Sequence, residues 1–149
     1  MANLAENKKA HFNYEFLDNY EGGLELVGHE VKAIKAKRAD LTGSHVVVRG
    51  GEAFLVGMNV PEYQANNTPK GYVSDRTRKI LLTKKELVKL AELESKKGLT
   101  LVPISLYNKG NIVKISFALA RGKKKYDKRE TIKKRDSDRE IERILKTQR

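Results

Sequence analysis

The chain has 149 residues, of which 39% are apolar and none is cysteine. This length allows one domain with its own core, and the absence of cysteine excludes disulfides, thiolate zinc sites and a cysteine nucleophile. The formal net charge of +12, from 31 basic and 19 acidic residues, attracts polyanions. Nucleic acid is therefore the leading class of partner.

No signal peptide is recognisable at the polar start of the sequence, and nowhere do about 18 apolar residues run together. We therefore expect a cytoplasmic protein that does not associate with membranes. No long apolar stripe remains without a use inside the protein, so we expect a monomer.

The first predicted elements are strands and a helix. Residues 14–26 mix aromatic residues and leucines around Gly22-Gly23, which favours two strands about a bend. Residues 30–39 place Val31 and Ile34 among basic residues, which is typical of a short helix with an outward basic face.

A hairpin and a long connection follow. Residues 45–48 and 53–56 flank Gly50-Gly51, and paired glycines supply the positive φ angles of a tight β-turn. Residues 59–79 show little periodicity and contain two prolines, which indicates an irregular loop.

The second half predicts a helix and a further strand pair. Thr83 and Glu86 have the spacing of a capping box, and the helix is expected to end near Lys97. Residues 99–107 and 111–120 predict two strands joined through 108–110, with Lys114, Ser116 and Ala118 pointing outward. These elements indicate a mainly β protein with short helices; a five-stranded oligonucleotide-binding barrel suits the length, although the pattern leaves other small barrels open.

Composition changes sharply near residue 121. Residues 121–149 contain 13 basic and 6 acidic residues, and the rest of the chain contains 18 and 13. We expect a barrel domain over residues 1–125 and a basic C-terminal tail over 126–149, disordered alone or helical on a partner. Ile141, Ile144 and Leu145 have the spacing of a small apolar helical face.

Catalysis is poorly supported by the sequence. The three histidines, His11, His29 and His45, lie in separate predicted elements and form no metal-ligand or nucleophile motif. No phosphate loop or dinucleotide fingerprint occurs. We expect no enzyme activity, no cofactor and no metal.

Two clusters outside the tail combine cations with groups that hold RNA. Residues 7–14 contain two lysines between an asparagine and aromatic rings, which suits RNA but equally a frayed terminus. Arg76, Arg78 and Lys79 place three cations within four positions, which suits a phosphate backbone or a solvated loop.

Five segments together resemble the SsrA-binding protein (small protein B) family, in its order and spacing over nearly the whole chain. They are Gly28-His-Glu-Val-Lys32, Ser44-His-Val46, Arg76-Thr-Arg-Lys-Ile-Leu-Leu82, Leu101-Val-Pro-Ile-Ser-Leu-Tyr107 and Gly122-Lys-Lys-Lys-Tyr-Asp-Lys-Arg129. The resemblance implies an oligonucleotide-binding barrel that holds transfer-messenger RNA (tmRNA) and brings it to stalled ribosomes for trans-translation.

The resemblance also implies site residues. The resemblance places RNA contacts at Asn7, Glu21, Leu81 and Lys114, with Lys32, Gly122, Lys123 and Lys124 as their neighbours. The two clusters add Phe12, Arg76 and Arg78 as expected RNA contacts; many members of the family have a histidine where this chain has Phe12, which keeps stacking but loses hydrogen bonding. Glu21 would accept from base amino groups or orient a cation. In the tail, the resemblance assigns Asp127, Lys128 and Arg129 to the decoding region of the small ribosomal subunit, and Ile144 and Leu145 to a step after docking.

Two other functions remain as alternatives. A general RNA-binding or ribosome-associated protein would share the barrel without acting in rescue. A metal-dependent nuclease would need several converging carboxylates, whereas the acidic residues here are scattered among basic ones.

Overall fold

The computed structural model describes residues 3–64, 66 and 68–123. Within these residues, seven strands and three helices follow one another: β1 (Asn3–Glu6), α1 (Ala10–Asn13), β2 (Tyr14–Leu24), α2 (Gly28–Lys35), β3 (His45–Arg49), β4 (Glu52–Val56), β5 (Arg78–Leu81), α3 (Lys84–Glu94), β6 (Leu99–Lys109) and β7 (Ile112–Gly122).

The strands form one antiparallel sheet that closes on itself. Their order is β1-β6-β3-β4-β5-β2-β7, and β6 also pairs with β7. This last pairing closes a ring of six strands, to which β1 is added along β6. The predicted mainly β barrel is confirmed, with six strands in the described ring where a five-stranded barrel was expected.

The prediction of two strands around Gly22-Gly23 is wrong, because β2 is one strand of 11 residues. It pairs with β7 from Tyr14 to Gly23 and with β5 at Gly23 and Leu24. A Cβ on Gly22 would lie 2.7 Å from Ile80 Cγ2. The glycine at position 22 therefore admits a neighbouring strand instead of making a turn.

Both predicted hairpins are confirmed. Gly50 and Gly51 have φ angles of 60° and 77° between β3 and β4, as a tight turn of paired glycines requires. The β6–β7 hairpin is longer than predicted, because the ladder continues to Lys109 and Ile112. Its turn includes Gly110, whose φ is 63°.

The helices also follow sequence signals, with shifted ends. In α3 the Thr83 hydroxyl accepts from the Glu86 N–H at 3.3 Å, and the Glu86 carboxylate accepts from the Thr83 N–H at 3.3 Å, which completes the predicted capping box. The helix ends at Glu94, earlier than expected. The predicted helix at 30–39 is α2, which runs from Gly28 to Lys35.

The barrel interior holds one large apolar cluster, and a smaller cluster lies on the outer face of the sheet beside α1. The smaller cluster contains Ala10, Val102 and Ala120. Ala118, on the same face of β7 as Ala120, is fully buried and not exposed as predicted; it lies opposite Val102, a residue of the smaller cluster. The larger cluster includes Ile34, Leu55, Ile80, Leu101, Leu106, Ile115 and Phe117.

Candidate nucleic-acid interface

One row of residues crosses four adjacent strands on the outside of the barrel. Leu81 of β5 is opposite Gly23 of β2, Gly23 is opposite Lys114 of β7, and Lys114 is opposite Tyr107 of β6. Glu21 precedes Gly23 by two positions and therefore shares its face. We call Glu21, Gly23, Leu81, Tyr107 and Lys114 the cross-strand row.

Three residues predicted as RNA contacts, Glu21, Leu81 and Lys114, thus share one face although they are far apart in sequence. Leu81 is 53% exposed, and the Lys114 side chain is 27% exposed. The outward position of Lys114 follows from its place in β7, where Val113 and Ile115 face the core. The sequence alternation identified that position, but the pairing with Glu21 needed the fold.

A cluster of donors surrounds the Glu21 carboxylate. Lys114 Nζ lies 3.2 Å from Glu21 Oε1, and Lys109 Nζ lies 3.6 Å from the same atom. The Tyr107 hydroxyl and the Lys114 ammonium hold the pKa of Glu21 below its usual value. An ionised Glu21 therefore holds two lysines beside it, and 43% of its side chain remains exposed. This geometry is compatible with both roles expected from sequence, orienting a cation and accepting from a base amino group.

The row also has an apolar side that sequence reasoning missed. Ile112, at the start of β7, is 53% exposed and lies near Gly23, since a Cβ on that glycine would be 3.9 Å from Ile112 Cγ2. The available sequence signal was an isoleucine two positions after the hairpin glycine Gly110, on the same face of the strand as Lys114. Only the fold shows that it faces Leu81 across Gly23.

A second group of predicted residues lies around α1, at the other end of β7. Asn7 is buried: its Nδ2 donates to the Pro103 carbonyl at 3.0 Å, and its N–H donates to the Ile104 carbonyl at 2.8 Å. Asn7 also lines a surface cavity of about 390 Å³ with Lys9 and Asn13. Asn7 does not lie in the cross-strand row. Its hydrogen bonds anchor β1 and α1 to β6.

The remaining residues of this second group are close to the start of β2. Phe12 is a partly buried residue of α1, Gly122 is opposite Tyr14, and the Lys123 N–H donates to the Asn13 carbonyl at 2.9 Å. Lys32 is exposed on α2, outside the cross-strand row. The tail residues Lys124, Asp127, Lys128, Arg129, Ile144 and Leu145 lie outside the described residues.

Arg78 does not support the expectation of a phosphate contact, because it is fully buried. Its Nε donates to Glu30 Oε2 at 2.7 Å, and its terminal nitrogens donate to the Met58, Arg76 and Ser74 carbonyls and the Tyr72 hydroxyl. A guanidinium has five N–H donors, and these partners use its donors inside the protein. Arg78 is placed as a structural residue.

Arg76 shares the same carboxylate as Arg78. Its Nε donates to Glu30 Oε2 at 3.1 Å, and its Nη2 donates to Glu30 Oε1. About a third of the Arg76 side chain remains exposed, at 34%. Arg76 therefore has a structural partner and also a surface that a ligand can reach.

Residues 3–64, 66 and 68–123 contain no group of three or more His, Asp or Glu able to hold a metal ion. The helices in these ranges are all too short or too polar to cross a membrane.

The barrel, together with an outer face of lysines, a carboxylate and exposed apolar side chains, defines the class of small RNA-binding barrel proteins. Comparison with known families agrees: the family described as SmpB protein matches residues 4–147. The chain belongs to the SmpB family.

Similar proteins span the chain almost completely. SsrA-binding protein of Gloeobacter violaceus is 48% identical over 145 residues, covering 96% of this chain and 93% of the relative. SsrA-binding protein of Gloeothece citriformis is 44% identical over 143 residues, covering 96% and 92%. A solved structure described as "tmRNA-SmpB: a journey to the center of the bacterial ribosome" has a TM-score of 0.67 at 38% identity, covering 85% of this chain and 92% of that one.

Proposed function

We propose that the protein binds tmRNA and delivers it to stalled ribosomes for trans-translation, as a cytoplasmic adaptor with no catalytic activity of its own. The observation that carries this proposal is the convergence of Glu21, Leu81 and Lys114 on one exposed face. Cations beside an acceptor and an apolar surface suit RNA, whose phosphates, base edges and base faces need these groups. Membership of the SmpB family supports the choice of RNA.

We assign different roles in RNA binding to the cross-strand row and to the group around α1. We assign Glu21, Leu81 and Lys114 to RNA capture, with Lys32 and the exposed part of Arg76 as supporting contacts. The group around α1, with Asn7, Phe12, Gly122 and Lys123, forms a second contact region, and we assign Lys124 to the same contact.

The tail supplies the ribosomal part of the function. In this proposal residues 1–125 form the RNA-binding barrel and residues 126–149 the tail. Asp127, Lys128 and Arg129 act near the decoding region of the small subunit, and Ile144 and Leu145 act after docking. The net positive charge of residues 121–149 supports a partner rich in phosphate. The protein acts as a monomer.

The decisive experiment compares two RNAs. Purified protein is titrated with tmRNA and with bulk elongator tRNA at about 150 mM salt, where nonspecific attraction between charges is screened beyond about 8 Å. The proposal expects a clear preference for tmRNA. Equal affinities would leave a general RNA-binding barrel and reject the adaptor function.

A further inference from the structure

Gly23 lies at the centre of the cross-strand row, and the fold does not require a glycine at this position. A Cβ at this position would lie 3.7 Å from Leu81 Cδ1 and 3.9 Å from Ile112 Cγ2, which are ordinary contact distances. Its φ is not among the positive values of the described glycines. An alanine would therefore fit at position 23, in contrast to Gly22, where a Cβ would come within 2.7 Å of Ile80.

A glycine inside a strand weakens it, because the unfolded chain gains freedom and no side chain packs. At Gly22 the close approach of β5 explains that weakness. At Gly23 neither a close contact nor a positive φ does so. A remaining reason for glycine in a strand is the close approach of a ligand.

The surroundings of Gly23 define the chemistry of that ligand. Leu81 and Ile112, each 53% exposed, stand on either side of the bare backbone and present apolar surface. Lys114 is the next residue of the row, and Lys109 lies 3.6 Å from Glu21. A ligand here contacts two apolar side chains, the Gly23 backbone and two cations at once.

We propose that Gly23, Leu81 and Ile112 form a slot for one unstacked nucleobase of the bound RNA. The base lies flat over the Gly23 backbone between the two apolar side chains, Lys109 and Lys114 contact the neighbouring phosphates, and Glu21 accepts from an exocyclic amino group of the base. This inference rests on the proposed function and adds a base-binding position to it.

A nucleobase suits the slot better than an apolar peptide does. The cations beside the slot would repel a basic segment and attract a phosphate backbone. A base brings an apolar face and polar edges together in one planar group. The slot and the lysines match both parts of a nucleotide.

The test compares glycine variants by affinity and stability. Gly23→Ala and Gly23→Val are titrated with tmRNA over a series of salt concentrations, and their melting temperatures are measured. Gly28→Ala is the matched control, since a Cβ there meets nothing within 4 Å and Gly28 begins α2, outside the row. Gly23→Val fills the slot more completely than Gly23→Ala.

We expect Gly23→Val to weaken tmRNA binding about tenfold, the scale of one lost base contact, and Gly23→Ala to weaken it less. The slope of log affinity against log salt stays unchanged, because no phosphate contact is removed. Melting temperatures of the Gly23 and Gly28 variants equal or exceed that of the wild type, and Gly28→Ala leaves the tmRNA affinity and its salt slope unchanged.

Different results would overturn different statements. Wild-type affinity in both Gly23 variants would reject the slot while leaving the adaptor function intact. A lower melting temperature that accounts for the weaker binding would also reject it, by showing that Gly23 serves the fold. Failure of the wild type itself to prefer tmRNA over elongator tRNA would instead reject the proposed function.

Discussion

The Arg78 guanidinium donates from Nε to the Glu30 carboxylate at 2.7 Å, and neither side chain has exposed surface. Glu30 belongs to α2, and Arg78 begins β5. Arg78 also donates to the Met58 carbonyl, just before the irregular loop of residues 59–79, and to the Ser74 carbonyl within that loop. The pair therefore holds α2, the loop and the barrel together.

Glu30→Gln should destabilise the protein strongly. The change leaves Arg78 buried without a counter-charge, and breaking a buried ion pair in this way lowers the free energy of unfolding by about 3–5 kcal/mol. Urea unfolding of the wild type and variant measures the difference. Glu25→Gln is the control, because Glu25 is exposed and should change stability little. A Glu30→Gln protein as stable as the wild type would contradict the role of the pair.

Stability should fall in acid through the same carboxylate. Burial raises the pKa of Glu30, but hydrogen bonds from Arg76, the Val27 amide and Arg78 lower it more, to about 2. The folded pKa lies below the unfolded value of about 4.3, so this contribution is complete above that value and is lost as the pH falls toward 2.

Melting temperatures are measured from pH 6 down to pH 2. This range includes the unfolded pKa of Glu30, about 4.3, and its folded pKa, about 2, so it isolates the contribution of this carboxylate. The wild type should lose stability over this range more steeply than Glu30→Gln, which has no proton to bind at that position. Parallel curves for the two proteins would show that another group controls the acid response.

Lys114→Ala should weaken tmRNA binding and reduce its salt dependence. Each lost phosphate contact lowers the slope of log affinity against log salt by about 0.7–0.9, and the change also frees Glu21 from its closest lysine. Titration at several salt concentrations measures both effects. Lys96→Ala, an exposed change outside the row, should leave the slope within error; an equal effect would mean that total charge, not position, matters.

Truncation after Tyr126 should separate the two parts of the function. Most of the tmRNA affinity should remain, because the cross-strand row lies within residues 21–114, whereas tagging in a reconstituted translation reaction should be abolished. Full-length protein with Asp127, Lys128 and Arg129 replaced by alanine is the companion variant and should show the same separation. Equal loss of binding and tagging would reject the assignment of the tail to the ribosome.

Local signals in the sequence predicted the local structure well. The β3–β4 turn needs only Gly50 and Gly51, and the start of α3 needs only Thr83 and Glu86, so adjacent residues specify both elements. β1 and α1 were missed because each has four residues, too few for a periodic pattern. β5 was missed because its strand conformation depends on pairing with β4 and β2.

The functional site depends even more on contacts between residues that are distant in the sequence. Arg76 and Arg78 have the spacing of a phosphate-binding pair, yet both turn to Glu30, 46 and 48 positions away. No local pattern reveals a buried partner at that distance. Likewise, the residues of the cross-strand row were identified one by one through family resemblance, but only strand register shows that they are neighbours and that Gly23 and Ile112 lie among them.

The length of β7 sets the distance between the cross-strand row and the group around α1. Lys114 lies near one end of this strand, and Gly122, eight positions on, pairs with Tyr14 at the other. A strand rises about 3.3 Å per residue, so roughly 26 Å of strand separate Lys114, in the surface that we assign to RNA capture, from Gly122 at the end of β7. An insertion or deletion of two residues in β7 would keep every side chain on its face and would change this separation by about 7 Å.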